Sequence, residues 1–420
     1  MKMMKGFNLT VVGVVLAFLA GCSNPTQASL NGNPASSGSA GGSGATTVSV
    51  TASTSPGAPR SLINDSTVTK VLIVALQNGA SAASGTLTKG GSAWTGSFSV
   101  SSGSTDFWAY AYNASNAVVW SGLTSGFTVN STGTNSVSIA MSQLANETSA
   151  NIGTLVPVAG GTFTLKSGGP NMTESTFHMS ANLIIGVEYA SVTGLADPSW
   201  FSSLSNHPVE QVNWYGALVF CNDLSTKEGL TPVYSISGST SPSAWGAIPT
   251  ADNTTWDAAT LNTSANGYRL PTEMQYMWAA MGGMSDGLSS DLVGGVNTAG
   301  YNKGYAGSTE AGGAQTNIGN YAWYYTNSSN TTHPVGSKQP NELGINDLTG
   351  NVMEWCWDWY GSYPTTAQTN YQGAAMGSYP YRVGRGGGWF NGASYCTVAA
   401  QGNVGPYYRN NGIGFRVVRP

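Results

Sequence analysis

The sequence predicts an α+β protein in which a small all-β sandwich domain precedes a larger domain that contains two helices. Three observations lead to this fold class. Short segments of alternating apolar and polar residues recur between positions 68 and 141 and read as strands. Apolar residues then recur at helical spacing from Trp214 to Leu224. Finally, Thr272 and Gln275 stand at the spacing of a capping box, which marks the start of a second helix.

Composition sets the outer limits on function. The chain has 420 residues, of which 8% are charged, and its net charge is −4. Ordinary soluble domains carry about 25% charged residues. Without a basic field, the chain is not expected to bind nucleic acid. No interior segment has the ~18 consecutive apolar residues that a membrane-spanning helix needs.

The first 22 residues predict export and lipid anchoring. A short basic segment precedes an apolar run at residues 11–19, and this order is typical of a signal peptide. Residues 19–22, Leu-Ala-Gly-Cys, resemble a bacterial lipobox, in which Cys22 is lipidated and becomes the mature N-terminus. The alternative is an ordinary signal peptide with a chance cysteine. The first interpretation predicts a protein held in the cell envelope by the lipid on Cys22, on the outer surface.

Two segments separate the signal peptide from the larger domain. Residues 23–60 are rich in Ser, Gly, Thr and Pro and predict a flexible tether. Residues 61–145 contain the predicted strands and indicate a small Ig-like β-sandwich that acts as a spacer. The predicted strands cover residues 68–76, 94–100, 106–112 and 136–141.

The larger domain, residues 151–420, carries a family resemblance. Its helices are predicted at residues 213–228 and from residue 272 onward. Five strings in this domain, in this order, resemble the formylglycine-generating enzyme (sulfatase-modifying factor) family: HPVEQVNWYGALVFCN, NGYRLPTEMQYMWAA, NELGINDLTGNVMEWCWDW, RGGGWFN and IGFRVVR. The resemblance implies a variant of the C-type lectin fold.

The resemblance does not carry the family's catalytic pair. Enzymes of this family use two cysteines, and the matching positions here are Asn391 and Cys396. A linear Cu(I) site needs two soft thiolate ligands, and an asparagine amide is a poor substitute. The chain is therefore expected not to be an enzyme and to require no cofactor. The alternative is a formylglycine-generating or related metal-dependent oxidase that acts on exported proteins.

A structural calcium ion is the metal that the resemblance allows. In the matching family segment, one glutamate and backbone carbonyls bind Ca²⁺, which favours oxygen ligands. The corresponding ligands here would be Glu354 and the backbone oxygens of Gly350 and Val352. The alternative is that Glu354 is a buried hydrogen-bond hub.

The remaining histidines and cysteines predict structural roles. None of the three histidines has the close ligand spacing of a metal site, and His207 and His333 each precede a proline. Cys221 falls on the apolar stripe of the first helix and is expected to be a free buried thiol. A disulfide between Cys356 and Cys396 is an open alternative to two free thiols.

The C-terminal segment, residues 382–420, alternates between two kinds of position. Arginines, Trp389, Phe415 and neighbouring glycines are typical of a fixed frame, which Arg385, Arg409 and Arg416 are expected to hold. The alternative for Arg409 is a contact with the ligand. The positions between the frame residues resemble the variable region of proteins altered by diversity-generating retroelements, of the treponemal variable protein type, several of which are lipoproteins. In such systems template adenines are miscopied, and asparagine codons can then yield Phe, Asn, Gly, Ser, Tyr, Ala or Val. The positions that obey this rule are Phe390, Asn391, Gly392, Ser394, Tyr395, Ala400, Gly402, Asn403, Val404, Gly405, Tyr407, Tyr408, Asn410, Asn411 and Gly412.

This pattern predicts a ligand-binding face. Tyrosine and phenylalanine supply contact area at low entropic cost, while Asn, Gly and Ser adapt, as in antibody paratopes. Gln401 cannot arise from an asparagine codon by this route and therefore needs a different explanation. The predicted partner is a protein or another cell-surface ligand of unknown identity.

Overall fold

The computed structural model describes residues 45–58, 60–377 and 380–420. The predicted signal peptide, Cys22 and the first part of the predicted tether lie outside these residues. Residues Gly44–Pro420 form one compact unit. The N-terminal part of this unit, called the β-region here, contains the strands β1 Ala45–Thr54, β2 Lys70–Gln77, β3 Ala80–Thr86, β4 Thr88–Lys89, β5 Trp94–Ser101, β6 Gly103–Tyr112, β7 Val118–Val129 and β8 Asn135–Gln143.

The eight strands of the β-region are connected in the order β3-β2-β6-β7-β8-β1-β5-β4. Strand β8 joins two groups of strands, because it pairs in parallel with β1 along most of its length and antiparallel with β7 at Ser142 and Gln143. Buried side chains from both groups form one hydrophobic cluster. The predicted strands match β2, β5, β6 and β8, whereas the assignment to an Ig-like sandwich stays a prediction.

Strand β1 contradicts the predicted tether, which is wrong from residue 45 onward. Its sequence ATTVSVTAST alternates between residues that face the core and residues that face solvent. Val48, Val50 and Ala52 are at most 1% exposed. The side chains are small, so the composition suggests a tether, but period-two burial and pairing with both β5 and β8 make this segment a strand.

The β-region packs directly against the C-terminal domain and is not a separate spacer. Val74 and Leu76 of β2, with Trp108 and Tyr110 of β6, belong to a hydrophobic cluster that includes Trp278 of the C-terminal domain. The residues that alternate with them face the internal core of the β-region. Both faces of β2 and β6 are therefore buried over much of their length, one inside the β-region and one against the C-terminal domain.

The C-terminal domain combines short strands, four helices and extended loops in the described residues. Its strands are β9 Glu147–Ser149, β10 Gly153–Val158, β11 Gly161–Thr164, β12 Asn171–Glu174, β13 Phe177–Ser180, β14 Tyr234–Ser235, β15 Thr260–Leu261, β16 Leu292–Val293, β17 Val296–Asn297, β18 Met353–Trp359, β19 Gln368–Thr369, β20 Arg382–Arg385, β21 Gln401–Val404, β22 Ile413–Gly414 and β23 Val418–Arg419. Its α-helices are α1 Gly186–Thr193, α2 Trp214–Lys227, α3 Thr254–Asp257 and α4 Glu273–Met281. Short 3-10 helices, one of them in the β-region, occur at Leu62–Asn64, Pro242–Ala244, Gly283–Ser285, Ser289–Asp291, Gly300–Asn302, Ala311–Gly313, Ile318–Asn320 and Ala393–Tyr395.

The two predicted helices are confirmed as α2 and α4. Helix α2 begins after Asn213, whose side chain accepts a hydrogen bond from the Gly216 amide. Helix α4 begins after Thr272, and the predicted capping box with Gln275 is present. In each case a side-chain oxygen satisfies an amide that the first helical turn leaves unpaired. No helix in the described part of the chain combines the length and the apolar composition that crossing a bilayer requires.

The C-terminal domain begins with closely spaced strands, and a sharp break separates β10 from β11. The break falls at Gly160, where a β-carbon would lie 2.6 Å from the Glu174 carbonyl oxygen and 2.7 Å from the Trp108 ring. Strand β10 joins the sheet β23-β13-β10-β9, and β11 joins the sheet β16-β17-β11-β12-β19. The close approach of Trp108 at this glycine is part of the contact between the β-region and the C-terminal domain.

The C-terminal segment contributes to two different sheets. Strands β20, β21 and β22 combine with β18 in the order β21-β20-β18-β22. Strand β23 instead pairs with β13, where Val418 lies opposite Met179. Because both ends of the segment are strands of sheets, the ends of the loops between them are held in place.

Candidate functional site

Arg385 fixes the first half of the C-terminal segment from inside. Its guanidinium is 1% exposed and donates hydrogen bonds to the backbone oxygens of Val398, at 3.0 Å, and Ala400. Its Nε lies 3.5 Å from a carboxylate oxygen of Glu273, which is also buried. One buried cation thus holds the chain just before β21, in agreement with the predicted frame role of Arg385.

Gln401 belongs to this frame, which explains why it departs from the variable pattern. Its side-chain amide donates a hydrogen bond of 2.9 Å to Glu273. The hydroxyl of Tyr363 donates to the other oxygen of the same carboxylate at 2.8 Å. Replacement of Gln401 would leave a buried carboxylate with one fewer donor, and such a loss is costly.

Arg416 and Glu354 form a second buried frame element, and the residues do not fit the predicted calcium site. Arg416 Nε lies 2.6 Å from Glu354 Oε2 and its Nη2 lies 3.0 Å from Oε1, while Tyr276 donates to Oε1 at 3.0 Å. Burial lowers the pKa of Arg416, but the Glu354 carboxylate outweighs burial and raises it. Both carboxylate oxygens of Glu354 are therefore engaged by donors. The alternative interpretation, a buried hydrogen-bond hub, fits this geometry.

Trp389 links the two ends of the variable segment. Its indole nitrogen donates a 2.9 Å hydrogen bond to the backbone oxygen of Asn411. Its ring contacts Phe390 edge-on, with 5.4 Å between the ring centroids. Gly412 is buried beneath Phe390, where a β-carbon would lie 1.9 Å from the Phe390 ring. The prediction that Gly412 offers a contact surface is therefore wrong, because Phe390 covers it.

The other predicted variable positions lie at the surface. Seven of them are exposed: Phe390, Gly392, Ser394, Tyr395, Asn403, Tyr407 and Tyr408. A further seven are half-buried: Asn391, Ala400, Gly402, Val404, Gly405, Asn410 and Asn411. The four aromatic side chains are 40–66% exposed, which is unusual for such large groups and leaves contact area available. We call these fourteen positions the variable face.

Met353 shows that the two halves of the variable face are neighbours. Its amide donates to the Gly412 oxygen at 2.8 Å, which places β22 on one side. Its sulfur would lie 2.8 Å from a β-carbon at Gly402, which places β21 on the other side. The edge strands of this four-stranded sheet are about 14 Å apart, given about 4.8 Å between neighbouring strands. Two strands of the variable segment thus form the two edges of one four-stranded sheet.

Tyr325 adds an exposed aromatic residue that sequence analysis did not identify. Its side chain is 67% exposed, and its amide donates to the Asn391 oxygen at 2.9 Å. The same loop contacts the segment again, because Ser328 donates to the Trp389 oxygen and Gln315 donates to the Ala393 oxygen. Sequence spacing gives no signal for this proximity, because the contact joins residues more than sixty positions apart.

Arg409 contradicts its predicted frame role. The side chain is exposed, in contrast to Arg385 and Arg416. Its guanidinium makes no hydrogen bond or ion pair with any residue that the structure describes. The backbone on either side is well held, because Gln211 donates to the Asn410 oxygen at 3.0 Å. Arg409 therefore projects from a fixed backbone toward solvent.

The cysteines do not form the chemistry of the enzyme family. Cys396 is buried, and burial raises the pKa of its thiol to about 12, so the thiol stays protonated at neutral pH. Asn391 instead accepts a hydrogen bond from the Gly388 amide at 2.9 Å. Cys221, Cys356 and Cys396 are all free, so the alternative disulfide between Cys356 and Cys396 is not formed, while the free buried thiol at Cys221 is confirmed.

The histidines have structural partners. His207 pairs with the Thr332 hydroxyl and His333 with the Ser328 oxygen, each at 2.8 Å. The His333 ring stacks on Trp323 at 3.7 Å between centroids. Within the described ranges, no three His, Cys, Asp or Glu side chains converge as metal ligands. These contacts agree with the structural role expected for both histidines.

The fold and this surface define a class: a C-type-lectin-like domain whose C-terminal loops present exposed aromatic and small polar side chains above a buried ionic frame. Residues 172–420 match the model of the sulfatase-modifying factor enzyme 1-like domain. The chain belongs to this family, the formylglycine-generating enzyme family that the sequence resembles.

Relatives with different names share this domain. Chaperone protein LppX of Paenibacillus barcinonensis is 34% identical over 278 residues, which cover 63% of this chain and 89% of that protein. The formylglycine-generating enzyme of Streptomyces coelicolor is 31% identical over 171 residues, 38% of this chain and about half (49%) of that enzyme. The structure is also similar to that of Treponema denticola variable protein 1, with a TM-score of 0.56 and 32% identity over 66% of this chain and 99% of that one.

Proposed function

We propose that the protein is a lipoprotein of the cell envelope that binds a protein or cell-surface ligand through the variable face and catalyses no reaction. The observation that carries this proposal is the separation of roles within one segment. Fourteen of the fifteen positions that the adenine rule allows are exposed or half-buried. The frame residues on either side of them, Arg385 and Phe415, are buried, and so is Cys396 between them. Such an arrangement allows side chains to change without loss of the fold.

The similarity to a variable protein supports the same proposal. That likeness covers nearly all of the other chain, at 32% identity. The relatives that are enzymes match a smaller share of this chain, 38% for the Streptomyces enzyme. Because one fold can carry unrelated functions, the residues of the site decide between them. Here they are exposed aromatic and small polar side chains, the composition of a binding surface.

Oxidase chemistry is disfavoured by the residues present. A copper-dependent oxidase of this family type would need a second thiolate where Asn391 stands. The remaining thiol, Cys396, is fully buried and protonated at neutral pH because burial raises its pKa to about 12. Soft-metal binding requires an accessible thiolate. This argument rests on the side chains of this chain and leaves binding as the better-supported function.

Alanine at both Tyr407 and Tyr408 is expected to abolish binding while leaving the fold intact. The side chains are 40% and 48% exposed, so the free energy of unfolding should change by less than about 1 kcal/mol. Exposed tyrosines at the centre of an interface are frequent hot spots, and affinity should fall at least about tenfold. The probe is a set of short peptides selected from a phage-displayed random library on the immobilised protein, with binding measured by calorimetry.

The matched control is a pair of tyrosines in the interior. Tyr234→Ala and Tyr268→Ala remove aromatic residues that are at most 1% exposed, and they should cost several kcal/mol of stability. If the peptides bind the Tyr407/Tyr408 double variant as tightly as the wild type, the variable face is not the binding site.

Lipid anchoring is tested at Cys22. Replacement by serine removes the thiol that would be acylated, so the protein should move from the membrane fraction to the soluble fraction, and labelling with radioactive palmitate should be lost. Because the lipid on Cys22 is the proposed membrane anchor, its loss should shift most of the protein to the soluble fraction. Cys221→Ser, at a buried thiol, serves as the control. Unchanged membrane association and labelling in the Cys22 variant would show that the anchor is wrong.

A further inference from the structure

A small cavity opens beside the variable face. Its volume is about 190 Å³, and its walls include the apolar side chains of Leu195, Pro198 and Ile248. Gln211 and Arg409 also line it. Sites for drug-sized molecules usually measure about 300–1,000 Å³, so a cavity of this size suits one side chain of a larger ligand.

The cavity is tied rigidly to the variable segment. The Gln211 amide donates to the Asn410 oxygen at 3.0 Å, and Gln211 adopts a left-handed backbone conformation with φ of 59°. The Trp214 amide donates to the Pro406 oxygen at 3.0 Å. Asn213, which caps α2, also reaches the Tyr407 oxygen at 3.4 Å. The cavity wall and the backbone that carries Tyr407 to Asn410 therefore move together.

Arg409 carries a charge that no described residue pairs with through a hydrogen bond or a salt bridge. Between Gly386 and Phe415 it is the one charged side chain. The buried arginines Arg385 and Arg416 have carboxylate partners, whereas no described residue accepts a hydrogen bond from the Arg409 guanidinium. A guanidinium presents up to five donors in a fork that matches a carboxylate. An unpaired charge at the edge of an otherwise uncharged binding surface selects partners of opposite sign.

We infer that Arg409 and this cavity form a fixed subsite that receives an aspartate or glutamate side chain of a protein ligand. The inference rests on the proposed function and adds the chemistry of one contact. The carboxylate pairs with the guanidinium, and the methylene groups of the same side chain lie against the apolar wall. The neighbouring Tyr407, Tyr408 and Asn410 vary and contact the rest of the ligand.

The experiment uses the same phage-displayed random peptides, selected on the full chain. Peptides recovered on the wild type are expected to be enriched in Asp or Glu relative to the starting library. Arg409→Gln should weaken the selected peptides about tenfold, and Arg409→Glu should weaken them further. Changing the acidic peptide residue to its amide should cause a similar loss on the wild type and little additional loss on Arg409→Gln, as a double-mutant cycle requires for a direct contact.

Two controls separate the contact from other effects. Lys166→Glu changes net charge by the same amount at an exposed position in the loop between β11 and β12 and should leave affinity unchanged. Thermal melting of Arg409→Gln should match that of the wild type, because the replaced side chain is exposed.

The outcomes distinguish this inference from the proposed function. If binding is lost on changing Tyr407 and Tyr408 to alanine but persists with Arg409→Glu, the subsite is refuted and the variable face stands. If the selected peptides bind both variants as well as they bind the wild type, the subsite and the proposed function fail together. Enrichment of acidic residues combined with coupling to Arg409 supports both.

Discussion

Replacing Glu354 with alanine is expected to lower the free energy of unfolding by about 3–5 kcal/mol, enough to unfold much of the protein at moderate temperature. The carboxylate is fully buried and is held by Arg416 and Tyr276. Its loss would leave the buried Arg416 guanidinium without a counter-charge. The measurement is chemical denaturation, followed by tryptophan fluorescence.

A double variant tests the cause of this loss. Glu354→Ala combined with Arg416→Met should recover part of the lost stability, because no isolated charge then remains in the core. Chelation of Ca²⁺ should not change the melting temperature of the wild type, because the carboxylate is engaged by donors. A clear fall in melting temperature with chelator, reversed by added Ca²⁺, would show that Glu354 binds metal after all.

Replacing Tyr110 with alanine is expected to destabilise the C-terminal domain although Tyr110 lies in the β-region. The side chain is 1% exposed and packs in the cluster that contains Trp278. Removal of a buried aromatic side chain costs about 3–5 kcal/mol. Hydrogen exchange should accelerate both in β6, which contains Tyr110, and in α4, which lies across the contact.

The control for Tyr110 is an exposed residue of the same sheet. Leu123 on β7 is 41% exposed, and Leu123→Ala should leave exchange in α4 unchanged. Faster exchange in β6 with no change in α4 would mean that the β-region unfolds by itself, as the predicted spacer would. In that case the shared hydrophobic cluster contributes little to the stability of the C-terminal domain.

Local signals were sufficient for the helices. Helix α2 was predicted from an apolar stripe, and α4 from the pairing of Thr272 with Gln275. Both signals depend on residues three or four positions apart, which the sequence displays directly. Strand β1 also had a local signal, the alternation of Val48, Val50 and Ala52. The Ser- and Thr-rich composition outweighed that signal, because small polar residues are typical of both tethers and edge segments.

Contacts between distant residues could not be predicted. The ion pair of Glu354 and Arg416 joins positions 62 residues apart, and family resemblance instead suggested a metal ligand. The burial of Gly412 depends on Phe390, and the exposure of Arg409 depends on how Gln211 holds the neighbouring backbone. Each of these depends on tertiary packing, which residue type and spacing do not specify.

Gln401 shows how the structure sharpens the sequence pattern. Glutamine cannot arise from an asparagine codon when only adenines change, so Gln401 is an exception to the adenine rule. In the structure, its side chain donates a hydrogen bond to the buried carboxylate of Glu273. Its neighbours Gly402 and Asn403 make no comparable side-chain contact, and they obey the adenine rule. Within one strand, β21, the position that the adenine rule excludes from variation is the one whose side chain reaches a buried charge. The residue that departs from the adenine rule is therefore also the residue with a structural hydrogen bond. This agreement supports the proposal of a frame that carries exchangeable positions.

Sequencing the genomic locus tests the central claim most directly. The account predicts a near-identical downstream repeat of residues 382–420, beside a reverse-transcriptase gene, with differences from the coding copy only at adenines of the repeat. Across independent isolates, substitutions should fall on the exposed positions, such as Tyr395, Tyr407 and Tyr408, and should spare Arg385 and Phe415. The absence of any such repeat, together with substitutions spread equally over buried and exposed codons, would contradict it.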